Sequence, residues 1–281
     1  MQTITMPLTA PLPILGIDAH AHVFGRQLDF VDGRRYTPDY DATLAQWLGH
    51  LREQGLSHGV LVQPSFLGTD NSHLLQALAA APEQLRGVAV VAPDVSQSQL
   101  KRMARLGVCG IRLNLMGQAL PDLASPTWAP LLETVAELGW HVELHRQIED
   151  IPSLWAALQR YGCKVAIDHF GRPHAGFGAS HATFQRLLEL GDGKRTWVKL
   201  SGVYRLGGTH SENLSFAHDA VPLLIEHFGA DRLMWGSDWP HTQHERQVNY
   251  AGEFELFQSL VPWAAQRRAI LCDGPGKLFG F

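Results

Sequence analysis

The sequence predicts an α/β protein that folds as a single-domain (β/α)8 TIM barrel. Eight apolar runs of strand length are rich in β-branched residues, and each lies beside a longer amphipathic segment. Strands that alternate with helices form parallel sheets. Eight such units in about 250 residues match this barrel, and the chain has 281 residues. An open doubly wound sheet is the alternative, but no G-x-G-x-x-G motif follows the first run.

The predicted elements follow one another regularly along the chain. The strands are predicted over Ile17–His22, Gly59–Gln63, Gly87–Val91, Gly110–Asn114, His141–His145, Lys164–Asp168, Trp197–Ser201 and Leu233–Ser237. The helices are predicted near Asp41–Gln54, Asn71–Ala81, Ser98–Leu106, Thr127–Leu138, Ile151–Tyr161, His181–Leu190, Glu212–Phe228 and Gly252–Leu271. Phe24–Asp39 and Gly171–Ser180 are predicted loops over the barrel mouth. One domain is predicted over 1–281, with an N-terminal extension over 1–13.

Composition argues against several classes of protein. The formal net charge of -4 offers no basic footprint for nucleic acid. No run of about 18 apolar residues predicts a membrane span, and Met1–Pro13 lacks the features of a secretory signal. Cys109, Cys163 and Cys272 form no C-x-x-C pair, so we expect reduced thiols in a cytoplasmic protein. No amphipathic surface helix marks an interface between subunits.

Polar side chains at the carboxyl ends of the predicted strands indicate the active site, because barrel enzymes place it there. His20 and His22 end the first strand, and side chains two residues apart on a strand face the same side. Four histidines and one aspartate from four strands form an acid/base or metal constellation. Hydrogen-bonded structural histidines are the alternative. The full set of strand-end residues is His20, His22, Gln63, Ser65, Arg112, Asn114, Glu143, His145, Asp168, His169, Ser201, Tyr204, Arg205 and Asp238.

Arg112 stands out because it is charged within an apolar strand. A guanidinium keeps its proton in proteins, so near a core it needs a carboxylate, a carbonyl or an anionic ligand. Asp94 and Glu143 are candidate carboxylate partners. Otherwise Arg112 is expected to hold an anionic substrate.

The ordered set of strand-end residues resembles the amidohydrolase superfamily of barrel hydrolases. That family has H-x-H after the first strand, histidines after the fifth and sixth strands and aspartate after the eighth. The flanking sequence is similar to the lactonase branch that includes 2-pyrone-4,6-dicarboxylate hydrolases, in the segments D-A-H-A-H-V-F, V-Q-P-S-F-L-G-T-D-N, I-R-L-N, I-D-H-F-G-R-P and W-G-S-D-W-P-H-T. The resemblance spans Asp18–Phe279. It implies a hydrolase that opens a small carboxylated lactone of aromatic degradation by water attack.

The resemblance also implies roles for individual residues. It makes Asp238 the general base for the attacking water, a role that suits a carboxylate. It assigns His20, His22 and His169 to polarising the lactone carbonyl and stabilising the oxyanion. The residues that it assigns to binding the substrate acid group are Arg112, Arg205 and Ser65.

The chain departs from the pyrone hydrolases at two positions. Those enzymes have tyrosine at the position of His145 and work without metal. Here the resemblance to other superfamily members implies one divalent ion, zinc or manganese, with a metal-free site as the alternative. The second departure is Gln118, where the pyrone hydrolases have an arginine that clamps the dicarboxylate. The implied substrate is therefore an anionic lactone or carboxylate. The implied metal ligands are His20, His22, His145 and Asp238.

Two other functions stay open at the level of sequence. The same scaffold carries metal-dependent, non-oxidative decarboxylation of aromatic or muconate-type acids, which releases carbon dioxide. A non-catalytic barrel that binds anions or metal is the other alternative, and ligand would then stabilise the protein without turnover.

Overall fold

A computed structural model describes residues 12–281 of the chain. It contains one sheet of eight parallel strands, ordered from first to last around a barrel. The predicted TIM barrel is confirmed. The predicted extension, 1–13, lies almost wholly outside the described residues. The strands are β1 (Ile17–Ala21), β2 (His58–Val62), β3 (Leu85–Ala89), β4 (Val108–Asn114), β5 (His141–His145), β6 (Lys164–Ile167), β7 (Thr196–Leu200) and β8 (Leu233–Trp235).

Backbone hydrogen bonds next to the predicted site close the barrel between β8 and β1. The amide of Asp238 donates to the carbonyl of His20 at 2.8 Å, and the amide of His22 donates to the carbonyl of Trp239 at 2.8 Å. Gly236 permits this close approach, since a Cβ there would lie 2.5 Å from the His20 Cβ. The closure therefore brings the first and last strand ends together.

Asp18 is buried behind the same junction and connects the elements around it. Its carboxylate accepts hydrogen bonds from the Ser237 amide at 2.9 Å, the Ser237 hydroxyl at 2.6 Å and the Trp47 indole at 2.9 Å. The Tyr250 hydroxyl donates to it at 3.1 Å. Asp18 thus ties β1 to the loop after β8 and to two outer helices, which fixes the backbone that carries the site.

The helices surround the barrel, and several begin at sequence signals for helix starts. Capping boxes, in which two residues satisfy each other's free amides, begin the helices that start at Leu44, Gln97 and His210. The helices are α1 (Leu44–Glu53), α2 (Ser72–Ala80), α3 (Gln97–Arg105), α4 (Ala129–Glu137), α5 (Ile151–Gln159), α6 (Ala182–Leu188), α7 (His210–Phe228), α8 (Tyr250–Leu260), α9 (Ala264–Arg268) and α10 (Gly274–Phe279). No helix within 12–281 has both the length and the apolar character needed to cross a membrane.

The predicted final helix over Gly252–Leu271 is wrong as one element. The chain leaves helical geometry at Val261, where α8 ends. Pro262 follows, and a residue before proline is disfavoured in helical conformation. The remainder divides into α9, a π-helical turn over Ala269–Asp273 and α10.

The barrel interior changes character along its strands. Apolar side chains such as Val60, Val88 and Met234 are fully buried and pack together inside it. Trp197 belongs to this cluster, and Lys199, two residues later on β7, is also fully buried. Side chains two apart on a strand share one face. A layer of buried charge therefore lies beside the apolar filling.

Candidate active site

His20 and His22 converge on Asp238 at the end of β1. Their ring centroids lie 4.9 Å apart and the rings are nearly perpendicular. The Nε2 atoms lie 3.8 Å (His20) and 3.6 Å (His22) from Oδ1 of Asp238. All three residues are buried. His22 and Asp238 line the large cavity at the mouth, whereas His20 lies behind that wall.

Asp238 is held as an ion in a buried position. Its Oδ2 accepts a hydrogen bond from the Tyr204 hydroxyl at 2.7 Å and another from Nε of Arg205. Burial alone would raise the pKa of Asp238, but Arg205, followed by His169 and His22, holds that pKa well below its usual range. Oδ1 is the oxygen left to face the histidines.

Backbone strain is concentrated in the loops after β6 and β8. Within 12–281, all six non-glycine residues with positive φ lie there: His169, Phe170, Arg172, Asp238, His241 and Gln243. Such conformations cost of order 1–3 kcal/mol each and cluster at functional sites. The strain therefore marks the two loops that carry His169 and Asp238.

His169 lies against Asp238 across a glycine. Its Nδ1 hydrogen-bonds the Ser201 hydroxyl at 2.8 Å, and burial lowers its pKa to about 4. Gly202 has a φ of +61°, and a Cβ there would lie 2.9 Å from the His169 Nδ1 and 3.4 Å from Oδ2 of Asp238. Only glycine fits this position, so Gly202 lets the two functional groups approach each other.

His145 is a neutral histidine on the cavity wall. Its ring centroid lies 5.2 Å from that of His169. Burial, followed by the charge of Arg112, lowers its pKa well below the usual value. Within 12–281, neither of its ring nitrogens has a hydrogen-bond partner. A neutral imidazole carries one N–H, so the His145 ring holds one donor and one acceptor, both buried and without a hydrogen-bond partner within 12–281.

The structure brings together three of the four predicted metal ligands. His20, His22 and Asp238 each offer a ligand atom, and these atoms lie within 4.8 Å of one another. His20, Asp168 and His169 form a second such group. His145 belongs to neither group, so the predicted set of four is not assembled.

The hydrogen bonds of the two β1 histidines decide how well this group fits a metal. Nδ1 of His22 donates to the Val62 carbonyl at 2.7 Å, which leaves Nε2 unprotonated, as a ligand requires. Nδ1 of His20 lies 3.0 Å from the ammonium of Lys199, which can only donate. This contact favours a hydrogen on Nε2 of His20, and a protonated Nε2 does not coordinate a metal. Because zinc takes three or four protein ligands, the remaining two donors do not fit the predicted ion.

A charged layer lies behind the mouth. Arg112 donates to Oδ2 of Asp168 through NH2 at 2.8 Å, and its Nε lies 3.2 Å from Oε1 of Glu143. Glu143 is one of the two predicted partners, whereas Asp168 was not considered. Lys199 contacts Oε2 of Glu143 and lies 3.4 Å from Oδ1 of Asp168. Sequence reasoning missed Lys199, although a single charge in an apolar run is the same signal that drew attention to Arg112.

The mouth itself is a cavity of about 440 Å³ with an excess of positive charge. Four guanidiniums line it, those of Arg35, Arg112, Arg172 and Arg205, and Ser65 lines it too. Within 12–281, neither Arg35 nor Arg172 has a carboxylate within 4.0 Å. Burial, followed by the charges of other arginines, lowers the pKa of both, that of Arg172 to about 10. Such crowding favours an anionic ligand.

Arg35 and Arg172 were not predicted as site residues. Arg172 lies three residues after His169 in the segment I-D-H-F-G-R-P, so the motif offered a signal. Arg35 lies in the loop between β1 and α1, where no motif marks it. Gln118, the position of the missing arginine, is exposed and does not line the cavity.

Comparisons with known proteins give one consistent family. The amidohydrolase model matches residues 17–281. A 4-sulfomuconolactone hydrolase of Hydrogenophaga intermedia is 33% identical over 98% of this chain and 91% of its own. A 2-pyrone-4,6-dicarboxylate hydrolase of Comamonas testosteroni is 30% identical over 95% and 91%. A crystal structure of a candidate 2-pyrone-4,6-dicarboxylic acid hydrolase from Pseudomonas putida is 56% identical, with a TM-score of 0.91 over 96% of this chain and 98% of that chain.

Proposed function

We propose that this chain, which belongs to the amidohydrolase family, hydrolyses a small lactone that carries two acidic groups. The observation that carries the proposal is the cavity lined by Asp238 and by His22, His145 and His169. Arg35 and Arg172, two guanidiniums without carboxylate partners within 12–281, line the same cavity. The names of two relatives describe a sulfonated lactone and a pyrone dicarboxylate as substrates. Both names support an anionic ring ester.

The reaction is addition of water to the ring carbonyl followed by opening of the ring. The water oxygen bonds to the carbonyl carbon while Asp238 takes one water proton. The carbonyl oxygen becomes an oxyanion, which imidazole N–H groups stabilise. When the tetrahedral intermediate collapses, the ring C–O bond breaks and the ring oxygen receives the proton from Asp238. The product is an open-chain acid with a hydroxyl or enol at the former ring oxygen.

The hydrogen bonds support catalytic roles for the histidines that differ from those that the resemblance implies. His22 presents an unprotonated Nε2 beside Oδ1 of Asp238, so it accepts hydrogen from the attacking water and orients it. His145 and His169 line the cavity and stay neutral at pH 7, so their N–H groups donate to the oxyanion. His20, behind the wall, acts on Asp238 and not on the substrate.

Arg205 links the charge of the substrate to the basicity of Asp238. Its guanidinium lowers the pKa of Asp238, which makes the carboxylate a weak base in the free protein. An acidic group of the substrate competes for Arg205, and the Asp238 pKa then rises towards the range useful for catalysis. A neutral lactone leaves the ion pair intact and reacts slowly.

Arg35 and Arg172 take the place of the arginine that is absent at Gln118. Both line the cavity, and Arg35 also donates to the amide oxygen of Asn114 at 3.4 Å. Arg112 supplies positive charge from a fixed position, because Asp168 and Glu143 hold it. One acidic group of the substrate therefore meets Arg205, and the second meets Arg35 and Arg172.

Of the two predicted cofactor states, we propose the metal-free one. The reason is the protonated Nε2 of His20, which leaves two usable donors. We also propose a cytoplasmic location, because all three cysteines are unpaired.

Steady-state hydrolysis of a lactone panel tests the function. The panel contains 4-sulfomuconolactone, 2-pyrone-4,6-dicarboxylate, a monocarboxylated lactone and a neutral lactone. We expect the two doubly acidic compounds to have the highest kcat/KM. Asp238→Asn should lower kcat by about 10²–10⁴-fold, the range for a general base. Asp94→Asn, which removes an exposed carboxylate, is the matched control and should match wild type.

Trapping of carbon dioxide distinguishes the alternatives. Hydrolysis gives a ring-opened acid and no carbon dioxide, whereas carbon dioxide release would support a decarboxylase. Thermal stabilisation by the panel compounds without any turnover would support a non-catalytic anion-binding barrel. Either result would overturn the proposal.

A further inference from the structure

Lys199 is a fully buried cation that the hydrolytic steps leave without a role. Its ammonium lies 3.0 Å from Nδ1 of His20, contacts Oε2 of Glu143 and lies 3.4 Å from Oδ1 of Asp168. Lysine is almost never fully buried unless it is paired. Removing it from water is costly, so a fold that needed only stability has little reason to keep this ammonium against a histidine.

The layer places two cations against two carboxyl groups. Lys199 and Arg112 are the cations, and they contact Asp168 and Glu143. Burial, followed by the charge of Asp168, raises the pKa of Glu143 to about 7. A cation 3.0 Å from Nδ1 disfavours a second hydrogen on the His20 ring. The ring is therefore treated as a neutral imidazole, and the contacts of Nδ1 indicate which nitrogen carries the hydrogen.

Three groups approach Nδ1 of His20, and their distances decide its state. The Lys199 ammonium lies at 3.0 Å, the Asp168 carboxylate at 3.4 Å and the Glu143 carboxylate at 3.6 Å. The two carboxylate oxygens that face the ring already lie beside cations: Oε1 of Glu143 is 3.2 Å from Nε of Arg112, and Oδ1 of Asp168 is 3.4 Å from the Lys199 ammonium. An ammonium has only hydrogens to present, so it cannot approach an N–H this closely. Nδ1 therefore accepts, and the hydrogen lies on Nε2.

We propose that Lys199 is a positioning residue that fixes His20 as its Nε2–H tautomer and so presents an N–H to Asp238. The proposal rests on the function proposed above, because it concerns the general base of that reaction. Nε2 of His20 lies 3.8 Å from Oδ1 of Asp238 and has no hydrogen-bond partner within 12–281, so its N–H acts on the carboxylate electrostatically and not as a hydrogen bond. In the opposite tautomer Nδ1–H faces the carboxylates of the layer, and the Nε2 lone pair faces the carboxylate of Asp238.

The tautomer can be measured directly in the wild-type protein. Long-range proton–nitrogen correlation spectra of 15N-histidine-labelled protein separate protonated from unprotonated ring nitrogens, and His20→Gln identifies the His20 signals by their loss. We expect a protonated Nε2 and an unprotonated Nδ1 at pH 7. A protonated Nδ1 overturns the proposal, whatever the outcome of the lactone assays.

A charge-balanced variant tests what Lys199 does to catalysis. Lys199→Met alone would leave two anions with one cation, so we pair it with Glu143→Gln and compare the double variant with Glu143→Gln alone. We expect the double variant to show Nδ1–H on His20 and a kcat about 10²-fold below that of Glu143→Gln, the order lost with one preorganised group. KM should change little, because His20 does not line the cavity.

The same comparison in a His20→Gln background separates positioning from structural support. If Lys199 acts through His20, its removal should cost no further activity once His20 is absent. An equal loss of kcat in both backgrounds overturns the proposal and leaves Lys199 with a structural role. Absence of turnover with every lactone would instead count against the proposed function, while the tautomer measurement would still stand.

Discussion

The two layers of charge at the barrel mouth differ in how they are compensated. The inner layer pairs Arg112 and Lys199 with Glu143 and Asp168, and all four side chains are buried. The outer layer sets three guanidiniums, those of Arg35, Arg172 and Arg205, against the one carboxylate of Asp238. Buried charges need partners within the protein. Charges at the cavity can instead be compensated by a substrate. Under the proposed function we therefore expect the inner layer to set protonation states and the outer layer to bind an anion.

Breaking the inner layer should have the largest effect. Asp168→Asn leaves Arg112 and Lys199 with Glu143 alone, and removal of one partner of a buried ion pair costs about 3–5 kcal/mol. The control is Asp150→Asn, which breaks the partly exposed pair with Arg146 and should cost under about 1 kcal/mol. Urea unfolding at pH 7 measures both. Equal costs would contradict the distinction between the layers.

Gly202 lies where His169 and Asp238 approach each other, and a larger residue there should displace them. Gly202→Ala would press a methyl group against His169 at a φ of +61°, whereas Gly33→Ala adds one at a φ of +70° with nothing within 4 Å. Each substitution should cost about 1–2 kcal/mol of stability from backbone conformation. Only Gly202→Ala should also lower kcat, by about 10–100-fold, because the reacting groups are displaced. A comparable kcat loss in Gly33→Ala would show that the contact is irrelevant.

The outer layer is tested by charge removal within one loop. Arg35→Gln should raise KM for a doubly acidic lactone about tenfold, which corresponds to roughly 1.4 kcal/mol, and should leave a monoacidic lactone nearly unaffected. Arg26→Gln removes the same charge from the same loop but lies outside the cavity lining. Steady-state kinetics at constant ionic strength distinguish the two variants. If Arg26→Gln has the same effect, long-range charge and not a specific contact explains the selectivity.

The smallest predicted effect concerns Glu253, a buried carboxyl group outside both layers. Burial raises its pKa from 4.5 to about 8. The folded protein therefore binds one more proton than the unfolded chain between these values, and stability falls as pH rises through this window. As the pH rises from 5 to 8, the Tm of Glu253→Gln should increase relative to that of wild type by about 2 °C or more. Glu255→Gln, exposed on the same helix α8, should show a pH-independent difference from wild type.

Much of the fold and of the site was predictable because periodicity and strand ends are local signals. Alternation on β1 placed His20 and His22 on one side, and the barrel rule placed Asp238 beside them. The predicted helix over Gly252–Leu271 failed where Pro262 interrupts an apolar segment, a signal that the amphipathic pattern concealed.

The features that the sequence did not predict depend on contacts between elements that are far apart in sequence. Sequence spacing does not show where the ring of His145 points. In the structure His145 lines the cavity with His22 and Asp238 but does not join the group of ligand atoms that lie within 4.8 Å of one another. Lys199 is 179 residues from His20 in sequence, and only the closed barrel brings its ammonium to Nδ1. Arg35 lies in a loop, whose course is set by packing and not by a repeating pattern.

Ring opening in 18O-labelled water by chelator-treated protein tests the central claim most directly. Elemental analysis first verifies that the preparation is free of zinc and manganese. If the protein hydrolyses lactones without metal, we expect undiminished turnover of a doubly acidic lactone, one 18O atom in the new carboxylate after a single turnover, and no carbon dioxide. Loss of activity that added zinc or manganese restores, or release of carbon dioxide, would contradict it.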